Sequence, residues 1–134
     1  MSLIRISKGV EYGILAAGYV ARVEGDRPLV TSQEIAARYE ISMEYLLKVM
    51  KDLAKAGILK SKRGPRGGFC LAKPAGKITL LEIISALDGP MEGFVSTILD
   101  DSYQVNVAAV RTRAMIQART VLAKATVASL LKEG

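Results

Sequence analysis

The chain of 134 residues has no histidine, no tryptophan and a single cysteine. Each scarcity closes off a class of function. Without histidine, the commonest general base and the commonest metal-binding imidazole are missing. The acids offer no substitute: Glu34, Glu40, Glu44 and Asp52 fall on expected helix caps or exposed positions, with no converging pair. The chain is therefore not read as an enzyme. A lone thiol, Cys70, forms no intramolecular disulfide and fits a reducing cytoplasm. No window approaches the ~18 uninterrupted apolar residues of a membrane-spanning helix. Arg5, Lys8 and Glu11 interrupt the first apolar stretch, which is wrong for a secretory signal.

What is present is a globular composition with an uneven charge. Half the residues are apolar and a quarter charged, enough for one domain with a modest core. The net charge of +6 is concentrated. From position 48 to position 77 there are nine Lys or Arg residues (48, 51, 55, 60, 62, 63, 66, 73 and 77) against one acid, Asp52, so this window carries +8 and the remainder −2. A solvated helix face interleaves signs. One-sided charge makes a local positive field that attracts a polyanion, and nucleic acid is the expected partner.

The segment ISKGVEYGILAAGYVARVEGD has helical spacing at Val10, Ile14, Ala17 and Ala21, with Ser7 as N-cap and Gly25 as stop. In VTSQEIAARYE, Thr31 and Glu34 have capping-box spacing and Val30 and Ile35 stand as a hydrophobic staple, so a short helix starts there. ISMEYLLKVMKDLAKAGIL begins a third helix at Ser42. Its buried stripe is Leu46, Val49, Met50, Leu53 and Ala54, with Lys48, Lys51 and Lys55 on the other side. Tyr45 stands where a full capping box has a glutamate. Two helices joined by the few residues of YEIS outline a helix-turn-helix.

After Gly57 the period changes. ILKSK and GFCLAK bracket a turn built from Gly64, Pro65, Gly67 and Gly68, a hairpin attached to the second helix of the motif: a wing. GPRGG lacks the Gly-Lys-Ser/Thr ending of a nucleotide loop and is followed by a strand. Cys70 reads as a small strand residue of the wing, the alternative being a redox-sensing thiol that the neighbouring cations would activate. ITLLEIISALDGP repeats the capping box at Thr79 and Glu82 and ends at Gly89-Pro90. Residues 91–102 show no period. From about Tyr103 to Lys132 one uninterrupted helix is expected. Met115, Ala118, Leu122 and Ala125 form one seam, and Val107, Ala114, Val121 and Ala128 a second row, too wide an apolar surface for one neighbour.

Residues 41–89 follow an Ile-Ser opening, an Ala-Gly-Ile step, Arg-Gly-x-x-Gly-Gly-aromatic-x-Leu and an Ile-x-hydrophobic-x-Glu-Ile-Ile helix. This pattern, with SKGVEYGI near the start, resembles the Rrf2 family of bacterial transcriptional regulators. The resemblance covers roughly residues 5–89 well and the C-terminal helix in kind. It implies a mainly α fold: a winged helix-turn-helix with a two-stranded β wing (1–89), a linker (90–102) and a long dimerisation helix (103–134). It implies a homodimeric repressor of sequence-specific double-stranded DNA binding. Ser42, Met43, Glu44 and Tyr45 would then face bases. Lys48, Lys51 and Lys62 would meet phosphates or base edges, and Arg63 and Arg66 the minor groove. Tyr45 serves equally well as a packing residue. The dimer would form through Val107, Ala114, Met115, Ala118, Val121, Leu122 and Ala125. Cluster-binding members of the family place three cysteines in the segment before the long helix. PMEGFVSTILDD has neither Cys nor His, so no iron–sulfur cluster or other cofactor is expected. The competing readings are a protein-interaction module docking a partner through the C-terminal helix, with an incidental basic patch, and a binder of structured RNA.

Overall fold

A computed structural model describes residues 6–91 and 102–132. Three helices come first: α1 (Lys8–Val23), α2 (Ser32–Tyr39) and α3 (Met43–Lys55). The antiparallel strands β1 (Leu59–Lys62) and β2 (Gly68–Leu71) follow, in register Leu59 with Leu71 and Lys62 with Gly68. A 3-10 turn at Ala75–Lys77 leads to α4 (Leu80–Asp88); α5 (Ser102–Lys124) and α6 (Val127–Leu131) complete the order. This is the expected mainly α winged helix-turn-helix. The period-free segment falls almost wholly outside the described residues.

The caps form where local chemistry puts them. Ser7 Oγ accepts from Val10 N, and complete capping boxes close α2 at Thr31/Glu34 and α4 at Thr79/Glu82. Around them, Ile35, Leu46, Met50, Leu53, Ile58, Ile78 and Ile83 are fully buried in one core. The buried face of α1 is not quite the expected stripe. Val10 and Ala17 are inside, but Ile14 and Ala21 are only partly covered, while Gly9, Gly13 and Ala16 are buried. Gly13 explains the rotation: a Cβ there would lie 2.6 Å from Leu87 Cδ1, so α1 meets α4 at glycine distance.

The wing is pinned to the body by a contact between distant parts of the chain. Val30 and Phe69 exchange both main-chain hydrogen bonds (2.9 and 2.7 Å), so the residue before the N-cap of α2 extends the hairpin edge. Gly68 permits this approach, because a Cβ there would lie 2.7 Å from Val30 O. At the tip, Gly67 N donates to Gly64 O (2.9 Å), and Gly64 holds φ +115°.

One expectation fails outright. The long helix does not run to Lys132 but ends at Lys124. Thr126 and Ser129 form a further capping box that starts α6. Thr126 bridges Thr79, Leu80 N donates to Ala125 O (2.9 Å) and Val127 N to Ile78 O (2.9 Å). Val127, 3% exposed, belongs to the winged-helix core. The end of the chain's long helix is thus stitched by its main chain into the N-terminal body. Residues 125–131 are part of that body, and Ala125 lies in the break rather than on a helix face.

Candidate nucleic-acid interface

The turn between α2 and α3 is fixed by backbone geometry. Glu40 adopts the left-handed conformation (φ 54°, ψ 49°) and its N–H returns to Ala36 O, as does that of Ile41 (3.0 Å). Ile41 is buried beneath the turn. Ser42 then caps α3 with Oγ accepting from Tyr45 N at 3.5 Å, a long bond. The start of α2 is held more firmly. Arg27 grips Glu34 through both guanidinium nitrogens (2.9 and 2.5 Å), Tyr19 donates to Glu34 Oε2 (3.1 Å), and Thr31 N donates to Oε1 (2.9 Å). The Arg27 guanidinium, helped by Thr31 N–H and the Tyr19 hydroxyl, outweighs desolvation and pulls the Glu34 carboxyl down to about 2.

With Leu46, Val49, Met50 and Leu53 buried, α3 turns Ser42, Glu44, Tyr45, Lys48 and Lys51 outward. Met43, expected to face bases, is half-buried against the core. Tyr45 is 43% exposed, its ring set edge-on to Tyr12 (centroids 5.4 Å, 75°). Across from α3 the wing holds Lys62, Arg63 and Arg66 exposed. The two elements frame a cleft of about 660 Å³ lined by Lys51, Lys55, Lys62 and Arg63, with Ala54, Ser61, Gly68 and Phe69 as its floor and walls. No acid lines it. Among the described residues, Lys48, Lys51, Lys55, Lys62, Arg63 and Arg66 have no ion-pair partner. Their mutual repulsion is left for a polyanion to relieve.

The cleft sets Lys51 and Lys55 of α3 beside Lys62 and Arg63 of the wing, with Lys48 and Arg66 outside its lining. Lys55 was not singled out as a contact residue. Its signal was the four-residue spacing from Lys51, which puts both on one helix face.

The expected dimerisation residues divide into two groups. Met115, 9% exposed, is already buried within the single chain, where α5 packs on α4. Ala118 and Leu122 are partly covered. Val107 and Val121 are exposed (Val121 66%), and Ala114 between them is partly open. Tyr103 (77%) and Val110 join this outer row at four- and three-residue steps. The second row, not the first seam, is the free one.

The donor set is poor for a metal. Among the described residues no three His, Cys, Asp or Glu side chains come together, and the one thiol, Cys70, is a partly buried residue of β2. No helix of the described residues is long and apolar enough to cross a membrane.

Comparison with known proteins agrees with this architecture. A protein of Aquifex aeolicus described as a candidate HTH-type transcriptional regulator is 46% identical over 78 residues, covering 58% of this chain and 53% of that one. The chain spans about half the length of the curated relatives it matches. Among solved structures, CymR, the global cysteine regulator of B. subtilis, superposes with a TM-score of 0.85 at 27% identity, covering 98% of both chains. IscR of T. potens gives 0.76 at 30% identity, over 97% of this chain and 88% of that one. The model of the Rrf2 family, described as an iron-dependent transcriptional regulator, matches residues 6–133, and the chain belongs to that family.

Proposed function

We propose that this chain is a sequence-specific, DNA-binding transcriptional repressor that works in the cytoplasm as a homodimer. The carrying observation is the acid-free cleft between α3 and the wing, with Lys51, Lys55, Lys62 and Arg63 converging on it. A reading helix in the major groove and a wing in the adjacent minor groove leave a phosphodiester ridge between them, and four unpaired cations suit that ridge. Ser42, Glu44 and Lys48 then stand nearest the bases. Glu44 accepts from cytosine and repels phosphate, which narrows the operators this chain tolerates.

The glycines at 64 and 67 make the wing tip thin, so Arg63 and Arg66 approach a narrow minor groove whose negative potential favours arginine. The test begins with selection of bound sequences from random duplex DNA. Arg63→Ala is then titrated against the selected operator and a random duplex at two salt concentrations. Groove reading predicts a loss of about 1–3 kcal/mol on the operator and changed preference at flanking A·T positions. An equal loss on both duplexes, with the salt slope falling by about one unit, leaves Arg63 a mere source of field. Failure to enrich any duplex sinks the whole reading and favours the protein-interaction module.

The outer row of α5 supports the homodimer. Tyr103, Val107, Val110, Ala114 and Val121 keep a heptad rhythm on a face that is largely open among the described residues. Iron enters the family's description, but these residues do not fit an iron–sulfur cluster. A cluster takes several thiolates or equivalent ligands, and each chain supplies one thiol, in the wing, and no imidazole. The repression proposed here runs through no cluster.

A further inference from the structure

The first turn of α3 is held differently from the starts of α2 and α4. Those two helices have complete capping boxes, each with a glutamate at the third helical position. In α3 that position is Tyr45, and the only cap bond, from Tyr45 N to Ser42 Oγ, is 3.5 Å long. The turn expected to read bases is the one least able to hold itself. Its side chain reaches instead to α1. The Tyr45 ring meets the Tyr12 ring edge-on, and its hydroxyl lies over Gly9, where an added Cβ would come within 3.2 Å of Tyr45 Oη. That first turn of α1 is itself anchored: Ser7 Oγ accepts from Val10 N and donates to Asp88 Oδ1 (3.0 Å) at the end of α4.

We infer that Tyr12 and Gly9 of α1 are positioning residues for DNA discrimination: they fix Tyr45, and through it the first turn of α3, in the place of a capping box. The inference rests on the DNA-binding reading above. An aromatic edge contact is the kind of constraint that sets a rotamer, worth a factor of about two to ten when lost. Without it, Tyr45 is free to swing over the neighbouring Ser42 and Glu44, and base contacts lose registration. The lysines and wing arginines that meet phosphate are untouched. The signature is therefore loss of discrimination without loss of general affinity.

The measurement is the ratio of affinities of the full-length chain for the selected operator and for a random duplex. Tyr12→Leu should lower the ratio by about two- to tenfold with random-duplex binding unchanged, while Tyr12→Phe, which keeps the ring, should preserve it. Gly9→Ala is the second variant. Alanine favours a helix over glycine, so the melting temperature should hold or rise while the ratio falls. In a Tyr45→Phe background, where no hydroxyl faces Gly9, Gly9→Ala should change the ratio no further. An unchanged ratio in folded Tyr12→Leu, a Tyr12→Phe as poor as Tyr12→Leu, or an equal Gly9→Ala effect in both backgrounds overturns the assignment. A wild-type chain with no preference among duplexes defeats the DNA reading first, and this one with it.

Discussion

The body formed by residues 6–91 and 125–131 and the helix α5 are built by opposite rules. In the body the main apolar faces meet one another within the chain: α1 lies on α3 and α4, α2 on α3, and the wing on α1 and Val30. α5 is apolar on more than one side and has α4 as its principal neighbour among the described elements. The contrast separates the apolar residues that hold the chain together from those on which the proposed homodimer would rest. Core side chains hold one protomer together, whereas Val107, Val110 and Val121 add little to it and are available to a second copy.

The largest effects should separate these two kinds of apolar residue. Leu53, fully buried on α3, should cost about 2–5 kcal/mol of folding stability as Leu53→Ala in denaturant unfolding. Val121→Asp should leave the thermal transition of the body nearly in place but halve the sedimenting mass. If Val121→Asp unfolds the chain instead, or a folded variant keeps the larger mass, the outer row of α5 is not the interface.

Next in size is the polar anchor of α2. Glu34→Gln keeps the shape but removes the charge, and should cost about 1 kcal/mol near neutral pH, since the Arg27 partner is half in water. The native carboxyl titrates at about 2 against 4.5 for the free group. Its contribution is therefore complete above pH 4.5 and is lost as pH falls towards 2. Stability curves of wild type and variant should converge across that window; a gap that stays constant down to pH 2 means the charge is not what Arg27 holds.

The smallest effect sharpens the comparison within the body. Glu40 bears a left-handed backbone without being glycine. Glu40→Gly should gain about 0.5–1 kcal/mol by relieving that conformation, tempered by a freer unfolded chain. A loss would show that the Glu40 side chain supports the turn.

Local features of the body were legible in the sequence because their causes are local. Thr31 with Glu34, Thr79 with Glu82, and the Gly-Pro stop after α4 act within one helical turn. The lysine face of α3 and the glycine turn of the wing follow from period and backbone freedom. What escaped was decided at a distance. The Val30–Phe69 pairing joins residues far apart in the chain, and Gly9 and Gly13 are buried because of what lies opposite them, which no count of apolar side chains registers. The break after Lys124 escaped for a related reason. The Thr126 box uses Ser129 in place of a glutamate, in a stretch whose alanines favour helix, and the main-chain bonds to Ile78 and Leu80 decided the matter. In the candidate site, the side of α3 was readable and the orientation of Tyr45 was not, because Tyr12 and Gly9 set it from another helix.

The stitch at Ala125–Val127 has a consequence for how two reading heads face one DNA. A helix fixes the bearing of each side chain by counting residues, about 100° for each one. Because α5 enters the body through paired main-chain bonds, its rotation about its own axis is locked to the body at that point. The stripe proposed to meet a second copy and the cleft proposed to meet DNA therefore keep a fixed angular phase. One residue inserted between Lys124 and Ala125 would turn the stripe by about 100° relative to the cleft while leaving both surfaces chemically intact. Met115 would lose its packing against α4, and two copies joined along that stripe would point their heads in different directions.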